Sequence, residues 1–280
     1  MRFFPSVLLS FAAWIAVAQS ALPVTRSAAE EFLELNTDRD AFTPSTFVVD
    51  QGHVLTELSY VYIENREGKP TNSYPELLCR IGTTDWLELR FGVNYDVGAQ
   101  GNVVTSVEAG EIDEPGIVAY ESSVLYGLKT ALADQDGILP QACFIVEGDT
   151  PMYGDRFGTV LIATAVAGWE LPIQFPTRGA GPWRFDTALR YSYVEGPADW
   201  FSRWGPSAVL RLPLSDRVEA HAEWFGTFSE GLPEESSRPF FSPGMHFMIT
   251  ERAEIGLRVG WGLTNQAANF FSDLGCAFRY

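Results

Sequence analysis

Three ionisable residues at alternate positions, Glu219, His221 and Glu223, form a compact chemical cluster in the 280-residue sequence. On a β-strand such residues share a face, with about 7 Å between neighbours. A metal held there would need further ligands from adjoining strands. Nucleophilic catalysis would need a serine held by histidine and an orienting acid or amide, and no spacing singles out such a set. Gly-x-Ser-x-Gly, P-loop, His-Glu-x-x-His and dinucleotide-binding patterns are all missing from the sequence. The expectation is therefore a protein that is not an enzyme and carries neither cofactor nor metal.

The ionisable residues make more sense as one face of many strands. Glu57, Glu88, Arg90, Lys129, Arg184, Asp186, Arg190, Arg211, Glu219, His221, Glu223, His246, Glu254, Arg258, Asp273 and Arg279 each alternate with apolar neighbours. Both signs of charge are interleaved. Two readings are open: an interior filled by salt-bridged pairs, or a water-filled path whose charges orient a solute.

The elements that would position this face are short, period-two segments. The segment 86–95 is the cleanest, with Leu87, Leu89, Phe91, Val93 and Tyr95 opposing Glu88, Arg90, Gly92 and Asn94. The segment 183–194 sets Trp183, Phe185, Leu189, Tyr191 and Tyr193 against Arg184, Asp186, Arg190 and Ser192. Ten more segments read as strands, at about 54–63, 73–81, 122–133, 141–147, 158–171, 207–214, 218–229, 240–250, 253–261 and 270–280. The pattern predicts an all-β chain: an antiparallel up-and-down transmembrane β-barrel of about 12 strands. In such barrels short turns and long loops alternate. Tight connections fall at 82–85, 215–217 and 251–252, always after an even-numbered strand; the connection 172–182 is longer than the pattern expects. The phase puts both ends of the barrel on the periplasmic side and the acidic loops outside.

A repeat marks the tight turns: Thr84-Asp85-Trp86-Leu87-Glu88, Ser215-Asp216-Arg217-Val218-Glu219 and Thr250-Glu251-Arg252-Ala253-Glu254. The hydroxyl suits a turn because it can accept a nearby backbone N–H. Strand parity sends all three glutamates to the polar face, just inside the mouth.

Residues 1–18 have the charged start, apolar run and Ala16-Val17-Ala18 site of a cleaved secretory signal. Residues 19–51 read as a leader that lies in the periplasm or plugs the barrel, with a short helix from Ser27 to Leu35; residues 52–280 form the barrel. A formal charge of −17, from 36 acids and 19 bases, excludes nucleic acid as a partner. Cys79, Cys143 and Cys276 are widely separated; they read as apolar fillers, with a disulfide between two of them as the alternative.

The ending Asp273-Leu274-Gly275-Cys276-Ala277-Phe278-Arg279-Tyr280 resembles the C-terminal signal by which bacterial outer-membrane proteins are recognised by the barrel assembly machinery. Asp273, Gly275, Phe278 and Tyr280 match its positions. The run from Gly256 to Phe271, the stretch Asp38-Arg39-Asp40-Ala41-Phe42-Thr43, and the segments Gly52 to Leu58 and Ile81 to Gly92 resemble a family of bacterial outer-membrane barrels assigned to transport in the MetA pathway of phenol degradation. Asp40 stands where that family usually has proline. The resemblance implies a barrel in outer-membrane lipid that passes small, often aromatic, organic solutes. Two other functions compete: a structural or adhesive barrel without transport, and a secreted soluble β-barrel that binds a ligand.

Overall fold

A computed structural model describes residues 35–98, 102–105, 119–154, 158–176, 180–195, 200–231 and 235–280. The signal segment 1–18, the loop acids between 106 and 118, and all of the expected helix except Leu35 lie outside these residues.

Twelve strands follow one another: β1 (Val54–Glu64), β2 (Thr71–Thr84), β3 (Leu87–Gly98), β4 (Ala119–Ala133), β5 (Gln141–Tyr153), β6 (Val160–Gln174), β7 (Pro182–Glu195), β8 (Trp200–Pro213), β9 (Val218–Glu230), β10 (Ser237–Thr250), β11 (Ala253–Gly262) and β12 (Phe270–Arg279). Each pairs antiparallel with its neighbours, and β12 returns to β1, closing the barrel. The closing register runs from Leu55 opposite Arg279 to Glu64 opposite Phe270. Closure removes every open edge, as a bilayer requires of a sheet that crosses it.

Polarity is inverted relative to a soluble protein. Phe91, Tyr126, Leu161, Leu189, Trp224, Leu257 and Leu274 are exposed on the outside, while Glu88, Arg90, Lys129, Asp186 and Arg258 are buried within. An apolar belt this extensive is stable only against hydrocarbon. The secreted soluble reading fails on this face. Leu257→Arg, near the middle of β11, is expected to destabilise the barrel by about 2–4 kcal/mol. Reversible unfolding in lipid would measure it, with the loop-end substitution Leu263→Arg as a milder comparison.

The repeat acts as its chemistry predicts. Thr84 Oγ1 accepts from Trp86 N at 3.4 Å, Ser215 Oγ from Arg217 N at 3.3 Å, and Thr250 Oγ1 from Arg252 N at 3.2 Å. Glu88, Glu219 and Glu254 all turn inward.

Several strands are longer than the sequence pattern suggests. β5 continues past Glu147 to Tyr153, and β8 begins at Trp200 rather than Ser207. The connections 134–140 and 175–181 are long for the turn end. The first leans on the end of β6, where Gln135 and Glu170 exchange two hydrogen bonds and Trp169 Nε1 donates to Ile138 O.

Candidate functional site

The interior contains more than wall side chains. Residues 35–50 enter from the turn end and fold back within the barrel. Asp38, Arg39, Phe42, Thr43 and Thr46 are all at most 3% exposed.

An irregular segment buried inside the barrel must find partners for its backbone polar groups. Three wall carboxylates supply them. Glu57 Oε2 accepts from Asp38 N at 2.8 Å and Arg39 N at 2.9 Å. Glu223 accepts from Phe42 N at 3.0 Å and Thr43 N at 2.6 Å. Glu88 Oε2 accepts from Val49 N at 2.8 Å. In the opposite sense, Arg80 donates to Asn36 O at 2.6 Å and Phe47 O at 2.9 Å.

Asp38 is the electrostatic hub. Its carboxylate lies 2.5 Å from Arg90 Nη1, 3.1 Å from Lys129 Nζ and 3.5 Å from Arg80 Nη1. Burial alone would raise this carboxyl; Arg80, Lys129 and Arg90 together hold it well below the usual carboxylate range. A depressed folded-state pKa contributes docking strength that is complete above the ordinary value of 3.8 and lost as pH falls through the folded-state value. The stability difference between the wild type and Asp38→Asn is therefore expected to stay flat from pH 8 to about pH 5 and to shrink only in stronger acid. Leader proteolysis across that range measures it.

Deeper in, Phe42 stacks on Phe225 at 4.7 Å, and Phe225 stacks on Phe240 at 5.1 Å. Gly205 makes the room, since a Cβ there would stand 3.1 Å from Phe42 Cζ. From the loop end, residues 102–105 meet the same cluster: Val103 and Val104 pack with Phe42, Val61, Ile63 and Phe271. Arg258 Nη2 donates to Val104 O at 2.6 Å, Arg190 Nη1 to Thr105 O at 3.3 Å, and Ala268 N to Asn102 Oδ1 at 3.0 Å. The two segments therefore enter the barrel from opposite ends and meet in one apolar cluster.

The residues expected on the polar face are placed as follows. Asp186 joins Arg184 at 2.9 Å to Arg211 at 3.2 Å, and Arg211 reaches Glu219 at 3.4 Å. Arg258 pairs with Asp273 at 3.1 Å and Glu223 at 3.4 Å. Arg190 lies over the Phe42 ring at 5.9 Å. The strand triplet disperses: Glu219 turns to Arg211, Glu223 to the leader, and His221 Nδ1 to His246 Nε2 at 3.0 Å. His246 in turn faces Asp40 at 2.9 Å and Glu254 at 3.1 Å. Arg279 stays at the turn end, donating to Glu251 O at 3.2 Å. Tyr280 and Phe278 are exposed there. All three cysteines are free, so the disulfide alternative falls.

Sequence reasoning missed Glu76, Arg80, Glu147 and Arg203, all buried on the inner face. It also gave no role to Asp38, Arg39 and Asp40. Arg39 bridges to Glu76, and Arg90 Nε to Glu147 at 2.6 Å. Parity with Leu78 would have found Glu76 and Arg80, had Pro75 not broken the pattern of β2.

No family model and no curated protein matches the chain. Solved structures share its fold. An outer-membrane channel from Pseudomonas putida F1 superposes with a TM-score of 0.57 at 10% identity, covering 84% of this chain and 98% of its own. The porin NanC superposes with a TM-score of 0.53 at 7% identity, covering 80% of this chain and 98% of its own. At these identities the likeness is one of architecture: the fold is that of bacterial outer-membrane barrels.

Proposed function

We propose that this protein is a bacterial outer-membrane channel for small organic solutes, closed at rest by its own leader and by residues 102–105. One observation carries the reading. Inside the charged wall lie two chain segments, residues 35–50 and 102–105, that take part in none of the strand pairings. A barrel of purely structural role would need no separable filling, since wall side chains can fill a narrower barrel of roughly eight strands. A solute that displaces the leader would meet Arg80, Arg90, Lys129 and Arg211 on one side of the electrostatic balance and Glu57, Glu88 and Glu223 on the other.

Aromatic compounds are the proposed cargo, on the resemblance of residues 256–271 to the phenol-degradation barrels. When the leader moves, Phe42 leaves the face of Phe225, and Phe225 with its stacked neighbour Phe240 would offer that face to a flat ring. Flux of small aromatic solutes into protein-bearing liposomes tests this. Uptake above that of empty liposomes is expected, and none at any concentration would sink the transport reading.

The terminal residues serve assembly in the same proposal. Deleting Tyr280 is expected to reduce the fraction of chain that reaches the heat-modifiable, membrane-inserted form severalfold. Normal insertion without it would remove the assembly role from Asp273, Gly275, Phe278 and Tyr280.

A further inference from the structure

We propose that Asp40, His246 and Glu254 bind one divalent transition-metal ion of the zinc class, which staples the leader to the β10–β11 wall. His246 Nδ1 lies 2.9 Å from Asp40 Oδ2 and 3.1 Å from Glu254 Oε1. One ligand atom from each residue falls within 4.8 Å of the others, and all three residues are buried. A four-coordinate zinc with bonds of about 2.0–2.2 Å separates its ligands by roughly 3.2–3.6 Å, so the two contacts of His246 need to open by only a few tenths of an ångström.

The hydrogen-bond inventory points to a cation. Thr37 Oγ1 approaches Asp40 Oδ1 at 2.8 Å, Asp40 Oδ2 at 2.7 Å and Glu254 Oε1 at 3.1 Å, yet it has one proton to give. His246 Nδ1 faces two carboxylate oxygens with at most one proton. Glu254 Oε2 is buried with no hydrogen-bond partner among the described residues. Two carboxylates thus converge with too few donors between them. A divalent ion bound by both carboxylates and a neutral imidazole balances the charge and satisfies the oxygens together.

The surroundings suit an ion. His246 Nε2 lies 3.0 Å from His221 Nδ1, so its N–H can be given to His221 while Nδ1 presents its lone pair. Such a partner fixes the ring of a metal-binding histidine. A cavity of about 10 Å³ touches Thr37, Asp40 and Glu254, near the space one water needs to complete the coordination. Gly256 opens the approach, because a Cβ there would stand 3.0 Å from Asp40 Oδ2.

The staple differs from the contacts already described because it makes leader docking depend on a second molecule. Asp40 comes from the leader, while His246 and Glu254 come from adjacent wall strands. Zinc would therefore bind the docked state and oppose release.

The test uses the full-length protein in detergent, stripped with a chelator and dialysed against zinc chloride. One zinc per chain is expected, with only nitrogen and oxygen neighbours by X-ray absorption and slower proteolysis of the leader. Asp40→Asn and Glu254→Gln are expected to weaken binding by at least about tenfold, and His221→Gln by about 10–100-fold. Heat-modifiable mobility checks that each variant keeps its barrel; Asp40 lies outside every strand, so its variant tests the site with the strand ladder intact. No zinc bound by the wild type, or unchanged affinity in Asp40→Asn and Glu254→Gln, would overturn the assignment.

Discussion

Removing residues 35–50 and replacing the 99–118 connection by a short turn, both in one chain, is expected to raise single-channel conductance by about tenfold or more. Either change alone is expected to leave conductance low. The reason is geometric: the leader and residues 102–105 occupy successive levels of one path, so they act as barriers in series. The leader fills the turn end through Glu57 and Glu88, while Val103 and Val104 cap the cluster of Val61, Ile63, Phe240 and Phe271. With both gone, twelve strands enclose more space than wall side chains can fill. The open path should prefer cations, because the inner faces of the strands carry ten buried acids against seven buried bases among the described residues. Reversal potentials in a salt gradient read that preference, and conductance unchanged by the joint removal would mean that the wall closes itself.

Asp38→Ala is expected to release the leader while the barrel survives. The substitution leaves three buried cations facing one another, and breaking a buried ion pair costs about 3–5 kcal/mol. Arg80 keeps Glu88 at 2.8 Å and Arg90 keeps Glu147 at 2.6 Å, but the ion pair of Lys129 is with Asp38. Water entering as the leader leaves is the cheapest way to solvate Lys129. None of the twelve strand pairings involves the leader, so the closed ladder remains. Limited proteolysis should cut residues 35–50 at least about tenfold faster than in the wild type, with heat-modifiable mobility retained. Adding Lys129→Met should restore protection, since an apolar side chain of similar length removes the stranded charge.

Much of the wall is legible in the sequence. Period-two alternation put Glu88, Arg90, Asp186 and Arg258 on one face because a closed barrel enforces parity along every strand. The turn repeat located Glu88, Glu219 and Glu254 because its hydroxyl fixes where each upward strand begins. Glu76 and Arg80 escaped because Pro75 disrupts the alternation beside them, and Arg203 because Gly205-Pro206 reads as a loop. The leader was least legible. Asp38 finds its partners at positions 80, 90 and 129, and an irregular segment carries no periodicity that announces such contacts. The convergence of Asp40, His246 and Glu254 was hidden for the same reason.

Closure by the protein's own chain is tested most directly by the single-channel record of the wild type in a planar bilayer. Long silent periods broken by brief, well-resolved openings are the result that the proposed closure predicts, since residues 35–50 and 102–105 lie inside the barrel without joining its strand ladder. A steady open conductance from the moment of insertion would contradict it.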